Sequence, residues 1–202
     1  VLLRPTAGAI FINGRNLASE PIAAKLVMGL VPDEPFVYPK LTGAEYLRFI
    51  GELYGVPLSG MRKRVPELLE MFELAPWGGE LLESYSHGMR QKLVLAGILL
   101  HDPKVLVLDE PMVGLDPKSG RLVKDIFLRL AQRGTAIFMC THVLEIAETL
   151  CHRIGIMIGG KMVACGTLPE LHAQANKDGA DLESVFLSLT GGEEYAALLR
   201  YL

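Results

Sequence analysis

Several common functions are excluded by what this sequence lacks. It has only three cysteines, Cys140, Cys151 and Cys165, too few and too scattered for a disulfide framework or a zinc site. A reducing compartment fits that usage. Basic residues are not in excess: Lys plus Arg is 20 against 23 for Asp plus Glu, a net charge of -3. No nucleic-acid footprint is therefore expected. No apolar run approaches the roughly 18 residues of a membrane-spanning helix; the densest, Leu93 to Leu100, is too short. There is no secretory leader pattern, internal repeat or low-complexity tract.

What remains is a core-forming chain. Of its 202 residues, 50% are hydrophobic and 21% charged, which excludes a disordered tail and gives enough material for one domain with a small appendage. The mean hydropathy of +0.30 is high for a chain without a membrane span. It points to a buried sheet and to docking against something apolar.

Local patterns outline the elements. Ala9 to Leu17, with Asn13-Gly14 at its centre, reads as a hairpin or strand-turn. Val27 to Val31 reads as a strand closed by Pro32, and residues 32–40, with three prolines, as a loop. Thr42 and Glu45 have capping-box spacing, and apolar stripes over 43–74 predict two helices interrupted at Gly55-Val56-Pro57. Gly88 to Leu100 is apolar nearly all round, as in a buried helix. Val105 to Leu108 is an unbroken apolar run, expected to be a parallel strand covered on both faces. Asp116-Pro117 opens a helix that Gly134 ends. Ala136 to Cys140 is expected to be another buried strand, and Val143 to Cys151 a helix. Ile154 to Ile158 and Lys161 to Ala164 are expected to be strands joined at Gly159-Gly160. This alternation predicts an α/β fold with a parallel sheet and flanking helices. The helical block interrupting it reads as an inserted subdomain.

The chemistry concentrates after Val105-Leu106-Val107-Leu108. Asp109 and Glu110 end that strand, where an open α/β sheet presents its ligand site. The first carboxylate suits magnesium; the second suits activation of water. A solvated acidic turn is the plainer reading of the pair alone. Ser86, 23 residues before Asp109, opens a helix whose free N–H groups attract anions. By itself it reads as an ordinary N-cap. His142 lies 32 residues after Glu110, at the end of the next strand.

Together these segments resemble the ATP-binding cassette (ABC) ATPase family. Tyr85 to Met89 is similar to its signature loop, Val105 to Glu110 to Walker B with the catalytic glutamate, Gly114 to Asp116 to the D-loop, and His142 to the switch histidine. Asp33 stands at the Q-loop position. Four motifs in order make the match specific, and it covers essentially the whole chain. The resemblance implies a P-loop NTPase-like fold with ATP and Mg2+ as ligands. It also implies a second ABC ATPase subunit, identical or not, and a membrane-spanning transporter subunit docked near residues 33–50. The chain would work on the inner face of the cell membrane, from the cytoplasm. By the same resemblance Glu110 and His142 are catalytic, and Asp109 and Asp33 hold metal. Ser86, His87 and Gly88 contact ATP held by the opposite subunit, and Asp116 reaches across the dimer. The segments then divide into an ATPase core (1–41 and 102–166), a helical signature subdomain (42–101) and a C-terminal helical segment (167–202). Asp181 to Gly191, Pro32 to Pro35 and the Tyr-Ser-His-Gly-Met form of the signature resemble the ABC-2-type exporter group. Three departures stand out: His87 where glycine is commonest, Met89 where glutamine is usual, and Asp33 for glutamine, a carboxylate that cannot donate as an amide does.

The phosphate-cradling pattern G-x-x-x-x-G-K-S/T is not found in working form. Gly155 to Met162 comes nearest, but Met162 cannot ligand magnesium and no helix pattern follows Lys161. A Gly-Gly hairpin explains it better. The chain is thus expected to begin downstream of the true loop, which makes the fold incomplete at its N-terminus. On this reading Leu2 to Gly8 follow the loop's helix. These 202 residues alone would then be inactive, and the neighbours of Val105 to Leu108 incomplete, leaving an exposed edge. Two other readings stay open: a soluble ABC-type ATPase acting on ribosomes or DNA, and a non-catalytic fragment.

Overall fold

A computed structural model of the chain describes residues 5–176 and 179–191. Leu2 to Arg4, residues 177–178 and residues 192–202 of the expected C-terminal segment lie outside that description. The described chain forms two compact units, divided after Cys140. The functional division expected above cuts along different lines.

The first unit opens with a hairpin, β1 (Phe11–Ile12) and β2 (Arg15–Asn16), paired antiparallel through Asn13 and Gly14, both at positive φ. A short helix follows, α1 (Pro21–Leu26), which the sequence pattern does not reveal. Six residues are too few to display a helical period; its one signal is Pro21 at the first helical position. Strand β3 (Met28–Val31) then leads through the proline loop to α2 (Gly43–Leu53). Thr42 caps α2, accepting from the Glu45 N–H at 3.2 Å while the Glu45 carboxylate accepts from the Thr42 N–H at 2.8 Å. Helix α3 (Leu58–Met71) and two short 3-10 turns lead to α4 (His87–Leu100), which lies against α2 and α3. Strand β4 (Val105–Asp109), helix α5 (Pro117–Gln132) and strand β5 (Ala136–Cys140) complete the unit.

The three longer strands form a parallel sheet in the order β3-β4-β5, with Val31 opposite Leu108 and Asp109 opposite Cys140. β4 is therefore central and paired on both sides, and the unpaired edges of this sheet lie on β3 and β5. The expected coverage of both faces also needs correction. Leu106 and Leu108 are fully buried, meeting α4 through Leu95 and α5 through Val123 and Phe127 around a void of only about 10 Å³. On the other face, Leu30, Val107 and Phe138 form a row in which Leu30 is 51% and Phe138 63% exposed. β5 is likewise not buried but exposed at alternate residues. Both helices lie on one side of the sheet, so an apolar run did not guarantee burial on two sides.

The second unit contains α6 (Leu144–Leu150), β6 (Ile154–Ile158), β7 (Lys161–Gly166), α7 (Leu168–Ala175) and α8 (Leu182–Thr190). β6 and β7 form a hairpin through Gly159 and Gly160, at φ +55° and +78°, as the sequence predicts. Lys161 thus enters a strand rather than a helix, and the rejected phosphate-loop match is a turn. Leu171, Leu182 and Val185 centre this unit's own core.

One half-buried histidine makes the first unit's stability depend on pH. His101 stacks on Tyr54, centroids 3.7 Å apart, and its Nδ1 lies 3.4 Å from the Gly97 carbonyl oxygen. Burial holds its pKa below the ordinary 6.5. Between the folded and unfolded values the unfolded chain binds more protons, so stability rises with pH there. This contribution is complete above about pH 6.5 and is lost as pH falls through the folded value. In His101→Phe the fall in Tm between about pH 7 and 5 should be shallower than in the native chain; an identical slope would show that this ring is not its source.

Candidate functional site

The strands set the geometry. β3 and β4 run parallel as neighbours, so Asp109 at the end of β4 and Asp33, just after β3, emerge at the same edge of the sheet. Both are exposed. Glu110 follows with φ +45°, a left-handed conformation unusual for a non-glycine residue. Its N–H donates to the Cys140 carbonyl at 3.0 Å, and its own carbonyl accepts from the Val113 N–H at 3.2 Å. The chain thus leaves the sheet in a sharp turn.

Cys140, opposite Asp109, senses the charge at this edge. Burial, and then the carboxylates of Asp109 and Glu110, push its thiol above the ordinary value. The same negative potential favours a cation. No group of three or more metal-ligating side chains occurs among the described residues. That donor set fits Mg2+, which is commonly held by one or two carboxylates together with substrate phosphates and water. Asp109→Asn should lower the Cys140 pKa and speed its alkylation at mildly alkaline pH, resolved from Cys151 and Cys165 by peptide mapping. A rate no faster than native would mean that the potential at this edge is not set by Asp109.

The helix α4 joins the site from the other side. Ser86 caps it, its Oγ accepting from the Met89 N–H at 3.3 Å. Gly88, in the first turn, lies against the loop after Glu110: a Cβ there would sit 2.7 Å from the Gly114 carbonyl oxygen. The exposed His87 ring lies against Gly114, whose own added Cβ would come within 2.5 Å of Nδ1. Gln91 is fully buried, and its Nε2 donates to the Pro111 carbonyl at 3.1 Å. Lys92 pairs with Asp116 at 3.6 Å. Asp116 caps α5, accepting from the N–H groups of Lys118 and Ser119 at 3.1 and 3.0 Å. Hydrogen bonds from the Ser119 side chain and backbone hold its pKa down to about 2. Lys118 in turn pairs with Glu73 beyond α3.

The structure therefore sets His87 and Gly88 against Gly114, in the loop that runs from Glu110 to Asp116. His142 belongs to the second unit, between β5 and α6, and is exposed; beside it the Thr141 hydroxyl accepts from the Val143 N–H at 3.1 Å. Sequence reasoning missed Gln91. Its signal was present: Val94, Leu95 and Ile98, three, four and seven residues on, are buried, which puts Gln91 on the core face of the helix.

A parallel sheet with helices, an acidic strand end and a capped helix start defines an α/β nucleotide-site architecture. The comparisons narrow it. The family description "ABC transporter" matches residues 1–113. The chain belongs to the ABC transporter family. It is 38% identical over 181 residues to a daunorubicin resistance ATP-binding protein of Streptomyces coeruleorubidus, covering 90% of this chain and 57% of that protein. It is 35% identical to the linearmycin resistance ATP-binding protein of Bacillus subtilis, covering 85% and 55%. It is 32% identical to the ABC-type transporter ATP-binding protein EcsA of Bacillus subtilis, covering 94% and 76%. The chain spans little more than half the length of the first two. A solved structure described as the ATP-binding subunit of an ABC transporter superposes with a TM-score of 0.89 at 32% identity, covering 94% of this chain and 79% of that one.

Proposed function

We propose that the polypeptide carrying this chain hydrolyses ATP to power a membrane exporter. One observation carries the reading: a single loop joins the acidic end of β4 to the capped start of α4. Glu110 activates the attacking water, and Asp109, assisted by Asp33, holds Mg2+ when it is bound. That ion neutralises phosphate charge. Ser86, His87 and Gly88 present the helix start to the phosphates of ATP held by a second ABC subunit. Asp116 reaches across the same dimer, and His142 steadies the γ-phosphate. Hydrolysis is assigned to the parent polypeptide rather than to these 202 residues, because the phosphate-loop match at Gly155 to Met162 lies in a β-hairpin.

Among the described residues no helix is long and apolar enough to cross a membrane. Membership of the ABC transporter family and the likeness to an ATP-binding subunit support a membrane subunit as partner, with this chain peripheral on the cytoplasmic face. An exposed aromatic ladder supports its docking near residues 33–50. Phe36 and Tyr38 meet edge to face at 5.5 Å, and Tyr38 and Phe49 at 5.3 Å, with Phe36 72% exposed. Leu53, one turn beyond Phe49, extends it. The resistance functions named for the relatives support export of a small molecule. Phe49→Asp should abolish co-purification of the parent subunit with its membrane partner while leaving nucleotide affinity intact; undiminished co-purification would remove the ladder from the interface.

A further inference from the structure

We infer that Gln91 is a positioning residue for Glu110: its buried amide holds the Pro111 carbonyl and so fixes the left-handed turn that aims the Glu110 carboxylate. The inference rests on reading Glu110 as the water-activating group.

The turn needs holding. Glu110 sits at φ +45°, a region where a side chain persists only when its surroundings over-determine it. Two restraints are local: the bond from the Glu110 N–H to the Cys140 carbonyl, and that from the Val113 N–H to the Glu110 carbonyl. Residue 111 is proline and has no N–H to offer. Its carbonyl is the next backbone group after Glu110, and Gln91 reaches it from α4 across 20 residues of sequence.

Stability does not account for a glutamine at this point. Gln91 is completely buried, and its Oε1 has no hydrogen-bond partner. A half-satisfied buried amide is a poorer core residue than an apolar side chain of the same shape. Its neighbours on the buried face, Val94, Leu95 and Ile98, are all apolar. What the amide adds is a directed donor. Gln91 is also one turn from Ser86 to Gly88, so the bond links the anion-attracting helix start to the carboxylate.

The test compares two variants that lose the donor: Gln91→Met, which keeps the shape, and Gln91→Leu, which matches the apolar residues around it. Two readouts are needed. Amide hydrogen exchange of the chain reports the turn without reference to catalysis. Losing one hydrogen bond should speed exchange of the Glu110 and Val113 amides by about tenfold, with protection elsewhere and Tm nearly unchanged in Gln91→Met. Steady-state kinetics of the parent subunit should show kcat down by about tenfold at unchanged KM. Unchanged exchange in the turn overturns the inference. So does a general loss of protection with a lower Tm in both variants, which marks a purely structural role. The reading of Glu110 fails separately: if Glu110→Gln leaves hydrolysis intact, Glu110 is not the base, whatever the exchange experiment gives.

Discussion

Glu110→Gln in the parent subunit should slow ATP hydrolysis by on the order of 10²- to 10⁴-fold, the usual contribution of a general base. In activation free energy that is about 3–5 kcal/mol. The substitution keeps the shape of the side chain and removes the carboxylate's charge and basicity. Neither the β4 pairing nor the bond from the Glu110 N–H to Cys140 depends on that charge. Nucleotide affinity should therefore persist, and the loss should appear in kcat with KM little changed. Equilibrium nucleotide binding together with steady-state kinetics checks both halves. A kcat within a few-fold of native would remove Glu110 from the reaction.

Gly114→Ala should destabilise the chain by about 2–3 kcal/mol, a large share of a typical 5–15 kcal/mol. Two effects combine. Gly114 has φ +76°, a conformation that costs an L-residue roughly 1–2 kcal/mol. The new Cβ would also meet the exposed His87 ring at 2.5 Å and displace it from the loop. Gly134 separates the effects. It ends α5 at φ +92° with nothing within 4 Å of an added Cβ, so Gly134→Ala pays only the backbone cost, about 1 kcal/mol. Chemical denaturation of the two variants measures the difference. Equal losses would show that the contact between His87 and Gly114 contributes nothing. If the contact matters, Gly114→Ala should also reduce kcat, because that loop carries Glu110 and Asp116.

Where a local rule decides the structure, the sequence was readable. Thr42 with Glu45, Ser86 before α4 and Asp116 before α5 are caps whose bonds stay within three residues, and each is observed. Gly159-Gly160 could be read as a hairpin because few other residues accept both backbone conformations. Coverage of the sheet could not be read. Val105 to Leu108 and Ala136 to Cys140 are apolar runs, and such a run looks the same whether helices pack on one side or on two. Leu30 and Phe138 are exposed because α4 and α5 both pack on the other face. The site divided similarly. Asp109 at the end of a strand and Ser86 at the start of a helix could be placed from local pattern. The left-handed turn at Glu110 and the bond from Gln91 to Pro111 were not, because they arise only when α4 packs against a loop distant in sequence. The Tyr54–His101 stack is hidden in the same way, joining the ends of two helices that lie far apart along the chain.

In the proposed dimer the start of α4 completes a nucleotide site in a second subunit. Sedimentation of the parent subunit carrying Glu110→Gln, with saturating Mg-ATP, tests it most directly when Ser86→Asp is added. Aspartate retains the helix cap but puts negative charge where phosphate would approach. We predict a nucleotide-dependent dimer for Glu110→Gln and a monomer for the double variant. A dimer that forms equally well with aspartate at that position, or no dimer with either protein, would contradict the account.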